Sequence, residues 1–207
     1  DVLALVSVPS FSPDQVRQHY NQLLSSPSSP LRNRALSSLY PPGSVIKPVI
    51  AIAGMEEKLI GPEETISCPS RKLAPPNCWI MRDFGIGHDQ QWPNNARNAL
   101  KGSCNIYFSR LAEKLSSSEL QKWLLKFGYG SAALNQRCYV WDVNGTLLNT
   151  RGFDEAAGMI SSAAVSGSDA IKPIMDSEKR FFGIGQGSLR VTPLQVANAM
   201  AAISRNG

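Results

Sequence analysis

The 207-residue chain lacks several features that would assign a class quickly. It has no apolar run near the roughly 20 residues needed to span a bilayer, and no signal peptide. Its net charge of +5 is mild. There is no dense Lys/Arg run and no aromatic-basic interleaving, so nucleic-acid binding is not supported. Four cysteines (Cys68, Cys78, Cys104, Cys138) are too few for a disulfide scaffold and do not fix the redox compartment. No internal repeat occurs, and no low-complexity tract beyond the Ser/Pro loop from Ser25 to Pro30. At 43% hydrophobic and 18% charged residues, the chain can bury a core and reads as one globular domain or part of a larger one.

What is present centres on Pro41-Pro42-Gly43-Ser44-Val45-Ile46-Lys47-Pro48. A serine stands three residues before a lysine, just after a Pro/Gly turn. Pro48 is tolerated in a helix only near its first turn, so a helix must begin close to Ser44. Val49, Ile52 and Ala53 continue it at helical spacing, and Gly61-Pro62 end the segment. Ser44 and Lys47 then share one helical face, and the amine can approach the hydroxyl. A desolvated lysine can act as base for such a serine. The helix start also gathers unpaired N–H groups suited to an oxyanion. A lone Ser-x-x-Lys is more often a cap followed by a solvated charge. Ser103-Cys104-Asn105 has the same ambiguity. It reads as a helix cap, or as a second hydroxyl relaying a proton with an amide that binds lysine and substrate.

The rest of the chain predicts mostly helices. Asp1 to Val8 reads as a buried strand beginning without lead-in, which suggests an excised segment. Ser12-Pro13-Asp14-Gln15 caps a helix whose buried face is Val16, Tyr20, Leu23 and Leu24. Residues 61–98 read as a long irregular excursion. A helix from about Ser103 buries Phe108, Leu111, Ala112 and Leu115. Another buries Leu120, Trp123, Leu124 and Phe127 and closes at Gly128-Tyr129-Gly130. Residues 131–180 are the least legible. Thr192-Pro193-Leu194-Gln195 caps a last helix with Val196, Ala197, Met200 and Ala201 as its buried stripe.

Cys68, Cys78 and His88 recur at ten-residue intervals in the excursion. The spacing is not a standard zinc pattern and no fourth ligand is evident. A Cys68–Cys78 disulfide suits an extracytoplasmic segment better, and free thiols stay open. Cys104 is expected to point into the core. Trp79 and Trp92 line a cleft or pin the excursion. The Gly-x-Gly pairs at Gly85/Gly87 and Gly185/Gly187 lack a dinucleotide-fold setting and read as turns.

Taken together, these segments resemble the transpeptidase domain of class B penicillin-binding proteins, most like the elongation-type members. Tyr40 to Pro48 is similar to the family's nucleophile segment, and Ser103-Cys104-Asn105-Ile106-Tyr107-Phe108 to its second motif. Phe127-Gly128-Tyr129-Gly130 follows at the expected distance. Gly183-Ile184-Gly185-Gln186-Gly187, running into Val191-Thr192-Pro193-Leu194-Gln195, is similar to the late loop and helix. Asp1 to Phe11 and Leu31-Arg32-Asn33-Arg34-Ala35 fit the run-up to the active serine. The combination of Ser-x-x-Lys with a second serine motif is an established pairing in this group.

The resemblance implies an α+β fold of the penicillin-binding transpeptidase and serine β-lactamase type, with helices on an antiparallel sheet. It implies Ser44 as acylated nucleophile, Lys47 as its base, Ser103 as proton relay, and Asn105 holding both Lys47 and substrate. The backbone N–H of Ser44 would be half of the oxyanion hole. Substrates would be D-Ala-D-Ala stem peptides of peptidoglycan, with β-lactams as acylating mimics and a glycosyltransferase as partner. No cofactor and no metal are implied. The setting would be the bacterial cytoplasmic membrane, with the catalytic domain facing the periplasm or exterior. No Lys or Arg is followed by Ser/Thr and then Gly, so the family's third motif is missing from the sequence. Residues 1–207 are therefore expected to be a partial domain, soluble, mostly helical, inactive by itself, and without anchor, pedestal and final strands. Alternatives are a non-catalytic β-lactam sensor or scaffold, and a serine β-lactamase.

Overall fold

Helix α3 (Lys47–Glu56) is almost wholly apolar, and the rest of the fold is arranged around it. Val49, Ile50 and Ala53 are inaccessible to solvent. The computed structural model describes residues 2–132, 140–141, 147–149, 155–161 and 173–205. Helix α6 (Asn105–Lys114) crosses α3 at Gly54, where a Cβ would stand 2.6 Å from Leu111 Cδ1. That approach explains a glycine inside a helix, where it otherwise costs about 1 kcal/mol against alanine. Helix α7 (Ser117–Lys126) packs Leu120, Trp123 and Leu124 into the same core. It starts on a capping box, with Ser116 and Glu119 satisfying each other's backbone N–H groups.

Shorter helices complete the shell: α4 (Trp79–Phe84), α5 (Ala96–Lys101) and α8 (Asp176–Phe182). Helix α1 (Pro13–Ser25) and the single turn α2 (Arg34–Ser37) precede α3, and α9 (Pro193–Ser204) follows α8. Strand pairing is sparse. Strand β1 (Val140–Trp141) is antiparallel to β2 (Leu147–Asn149), with Val140 opposite Asn149 and Trp141 opposite Leu147. Isolated bridges join Tyr40 to Val191 and Met159 to Arg190. The described residues are thus mainly helical with an incomplete sheet, as expected. Among them no helix is long and apolar enough to cross a membrane.

Several local expectations are corrected. The opening stretch is not a buried strand: residues 2–8 carry no regular structure, and Leu3 is 95% exposed. A strand needs a neighbour for its N–H and C=O groups, and among the described residues none pairs with it. Helix α1 has its expected capping box but buries no residue; Tyr20 and Leu24 are exposed. The irregular excursion contains α4, a 3-10 turn at His88–Gln90 and the first half of α5. Helix α9 has the Thr192–Gln195 capping box, but its buried positions are Leu194, Gln195 and Ala199, and Ala197 is exposed. The phase shift follows from Gln195, whose Nε2–H donates to the carbonyls of Ser131 and Ala157 and turns that face inward.

Candidate active site

The chain enters the site through Tyr40, whose N–H and C=O both pair with Val191. A 3-10 turn, Gly43–Ile46, then leads directly into α3, with Pro48 in the helix's first turn. The turn is pinned from the far end of the sequence, because Gly43 N–H donates to Gly185 O at 2.9 Å. Gly185 has φ +69°, and a Cβ there would lie 2.2 Å from Gly43 O. No other residue fits that approach. The Gly-x-Gly segment at 185–187 is therefore a turn that braces the start of α3.

This placement leaves Ser44 exposed and Lys47 buried, at 1% exposure. The lysine amine is fully coordinated: its N–H groups donate to Ser103 O (2.8 Å), Ser103 Oγ (2.9 Å) and Asn105 Oδ1 (2.8 Å). An ammonium has three protons, and each has an acceptor. The Phe108 ring lies beneath it, 5.7 Å to the centroid. Burial lowers the Lys47 pKa from 10.5 to about 8, partly opposed by the negative character of the Cys104 and Cys78 thiols.

Ser103 Oγ also lies 3.0 Å from Ser44 Oγ, donating to it across 59 residues of sequence. The four side chains singled out from the sequence thus meet at one point. One detail differs from the helical-spacing argument: the hydrogen-bonded link from Lys47 to Ser44 runs through Ser103. The expected cap of α6 is also shifted, since Cys104 is the N-cap residue and its sulfur accepts from Tyr107 N–H. Asn105 Nδ2 donates to Asn77 O at 3.2 Å, beside a cleft of about 420 Å³ that Trp79 and Arg82 also line.

Behind this centre lies a second group that sequence spacing left one donor short. Cys68, Cys78, His88 and Cys104 are all buried, and their donor atoms lie within 4.8 Å of one another. Cys104 is indeed in the core, but it is the fourth member of this cluster. All three cysteines carry free thiols, so the Cys68–Cys78 disulfide is not formed. Cys138 lies outside the described residues. The separations are Cys68 Sγ to His88 Nδ1 3.6 Å, Cys78 Sγ to His88 Nδ1 3.4 Å, and Cys78 Sγ to Cys104 Sγ 3.9 Å. A tetrahedral zinc with usual bond lengths spaces sulfur from sulfur by about 3.8 Å and sulfur from nitrogen by about 3.5 Å. The donor set and its spacing therefore fit a closed structural zinc site. Hydrogen bonding with Cys104 and Cys68 draws the Cys78 thiol well below its usual pKa, while the same shared hydrogen bonds and burial push the Cys68 and Cys104 thiols up. The signal was split across a loop, two helix caps and a 3-10 turn, and only the fold joins them.

Comparison with known proteins agrees with the geometry. The family model described as the penicillin binding protein transpeptidase domain matches residues 1–207. The peptidoglycan D,D-transpeptidase MrdA of Acinetobacter baumannii is 30% identical over 216 residues, covering 100% of this chain and 29% of its own length. MrdA of Escherichia coli K12 is 28% identical, with 31% of its length covered. The chain thus spans less than a third of these relatives. A crystal structure of Pseudomonas aeruginosa PBP2 in complex with WCK 5153 superposes with TM-score 0.74 at 29% identity, over 100% of this chain and 43% of that one. The penicillin G acyl-enzyme of penicillin-binding protein A from Mycobacterium tuberculosis shares the fold, with TM-score 0.67 at 22% identity over 99% of this chain and 43% of that one.

Proposed function

From a chain that belongs to the penicillin-binding protein transpeptidase family, of the class B elongation type, we propose the catalytic half of a D,D-transpeptidase acting through an acyl-serine. The observation that carries this reading is the continuous Ser44–Ser103–Lys47 hydrogen-bond chain ending on a buried, fully coordinated amine.

The donor substrate is a peptidoglycan stem peptide ending in D-Ala-D-Ala. With Lys47 neutral, Ser44 gives its proton to Ser103 Oγ as Ser103 passes its own to Lys47 Nζ. Ser44 Oγ then bonds to the penultimate carbonyl carbon, and the C–N bond to the terminal D-alanine breaks. The amine leaves with the proton returned from Lys47. The N–H of Ser44, in the first turn of its 3-10 segment where backbone donors lack helical acceptors, stabilises the carbonyl oxyanion. Asn105 orients both Lys47 and the substrate amide. The amine of a second stem peptide attacks the acyl-serine, forming the cross-link and restoring Ser44. β-Lactams acylate the same oxygen.

The proposal extends to a membrane-anchored whole protein with its catalytic domain facing the periplasm and a glycosyltransferase as partner, a reading supported by the likeness to the MrdA transpeptidases. The Lys-Thr-Gly strand that closes such sites has no counterpart among the 207 residues. The full-length natural protein is therefore the proper object of the test. It should release D-alanine from a synthetic pentapeptide ending in D-Ala-D-Ala, and Ser44→Ala should not. Equal release by Ser44→Ala would sink the assignment.

A further inference from the structure

We infer that the cleft lined by Thr65, Ser67, Asp89, Gln90, Trp92 and Asn94 is a glycan subsite. It holds an N-acetylated amino sugar of the peptidoglycan strand whose stem peptide reacts at Ser44. The inference rests on the peptidoglycan substrate proposed above, and extends it from the peptide to the sugar backbone that carries it.

The cleft has a volume of about 480 Å³, within the range of small-molecule sites. Its wall offers hydroxyls, carboxamides, a carboxylate and an indole rather than an apolar groove. Among the described residues no Lys or Arg lines it, which disfavours a phosphate or a carboxylate as ligand. Lys101 lies outside the lining, with its ammonium engaged over the Trp92 ring at 4.8 Å from the centroid. What remains is a neutral ligand rich in groups that both donate and accept hydrogen bonds, and a sugar is such a ligand. The Asp89 carboxylate is already held in place, accepting from Ser67 Oγ–H at 2.5 Å and Cys68 N–H at 2.8 Å. A carboxylate has about four acceptor sites, so lone pairs are left for sugar hydroxyls.

Two atoms favour an acetamido group in particular. Trp92 Nε1–H and Asn94 Oδ1 are buried and have no partner, although both residues line the cleft. Buried polar groups are nearly always paired, so each marks a contact still to be made. The indole N–H only donates and the amide oxygen only accepts. An acetamido group presents the converse pair, a carbonyl oxygen and an N–H. Asn94 cannot exchange its amide ends, because its Nδ2 donates to Ile66 O at 2.8 Å and lies 3.4 Å from Cys104 Sγ. Neither orphaned atom is open to solvent in the free protein. The half-buried Trp92 ring therefore tilts to admit the ligand, a side-chain adjustment of a kind common on binding.

The reach of the substrate suits this position. Trp92 Cζ2 lies 2.9 Å from where a Gly102 Cβ would stand, and the Oγ of the next residue, Ser103, is 3.0 Å from Ser44 Oγ. With a Cα-to-Cα step of about 3.8 Å, that path bounds the indole-to-Ser44 distance at about 14 Å. The lactyl group and four residues between a muramyl ring and the reacting carbonyl extend to about 17 Å. A sugar in the cleft and its own D-Ala-D-Ala end at Ser44 are thus within one stem length.

The test uses the full-length natural protein and three soluble donors. One is a pentapeptide ending in D-Ala-D-Ala, the second carries it on an N-acetylated glucosaminyl-muramyl disaccharide, and the third is that disaccharide-pentapeptide deacetylated. D-Alanine release gives kcat/KM for each. The N-acetylated sugar should raise kcat/KM about tenfold or more over the bare peptide, mainly through KM, and deacetylation should remove most of the gain. Two variants probe the cleft. Trp92→Phe keeps a ring and removes the N–H, whereas Thr65→Trp fills the cleft from an exposed position. In each, the ratio of kcat/KM with sugar to that without should fall at least threefold. The ratio cancels any loss of folded or competent enzyme, so a variant that is merely less stable leaves it unchanged.

A parallel arm moves the sugar from the donor to the amine-bearing acceptor and reads cross-link formation. A gain there, lost in the same variants, assigns the cleft to the acceptor strand's glycan and supports the subsite equally. Equal rates with and without sugar in both arms would overturn the inference, as would a gain that neither variant reduces. Failure to release D-alanine from any donor would instead strike the acyl-serine reading on which the inference stands.

Discussion

The buried amine of Lys47 sets a specific pH dependence. In water a lysine of pKa 10.5 is neutral in about one molecule in 3,000 at pH 7, whereas at a pKa of about 8 the fraction is about one in ten. Burial therefore raises the supply of competent base about 300-fold at neutral pH. The acylation rate constant should climb about tenfold per pH unit from pH 6, bend near pH 8 and level off above it. Single-turnover labelling with a fluorescent penicillin, at saturating concentration, reads this directly. The same shift has a stability signature with a definite sign. Between about pH 8 and 10.5 the unfolded lysine holds a proton that the folded one has lost, so stability rises with pH across that window. The gain is about 3 kcal/mol, and below pH 8 it is absent. Other groups titrate in this range, so the quantity to measure is the difference between wild type and Lys47→Met in denaturant unfolding. Lys47→Arg, charged throughout, should lose acylation with no recovery at alkaline pH. A rate that is flat from pH 6 to 9, or bends only near 10, would refute the role of Lys47 as base.

Other perturbations follow from single contacts. Asn105→Ala removes one of the three acceptors of Lys47, a charge-assisted bond, and should slow acylation about ten- to hundredfold in rapid-quench labelling. Gly185→Ala places a Cβ 2.2 Å from Gly43 O at a left-handed backbone position. It should cost about 3 kcal/mol or more in urea unfolding and reduce labelling with it. Leu111→Ala empties a fully buried site against Gly54 and should cost about 3 kcal/mol by the same assay, while folded protein still labels at Ser44.

What could be read from the chain alone was local in origin. Pro48 near a helix start, the Ser12 and Thr192 capping boxes, and the glycines after Phe127 all act within one turn, and the elements they imply are present. Ser44, Lys47, Ser103 and Asn105 each stand near a helix start, where local pattern alone also reads them as caps, and it was the resemblance of the combined motifs to the family that singled them out. Their meeting depends on α3 crossing α6 at Gly54, which no local pattern encodes. Burial was harder to read than helicity. The apolar residues of α1 and of residues 2–8 look like core material, yet none of them is buried and only Val16 and Leu23 are partly covered. The sulfur cluster was illegible for the opposite reason. Its donors stand in a loop, two helix caps and a 3-10 turn, so no spacing rule reports that they share one pocket.

The central claim is that Ser44 Oγ is the atom acylated. Full-length natural protein incubated with penicillin G should gain the mass of one penicilloyl group, mapped by peptide mass spectrometry to the segment containing Ser44. Ser44→Ala, folded as judged by circular dichroism, should gain none. An adduct on another residue, or an unchanged adduct in Ser44→Ala, would contradict the account.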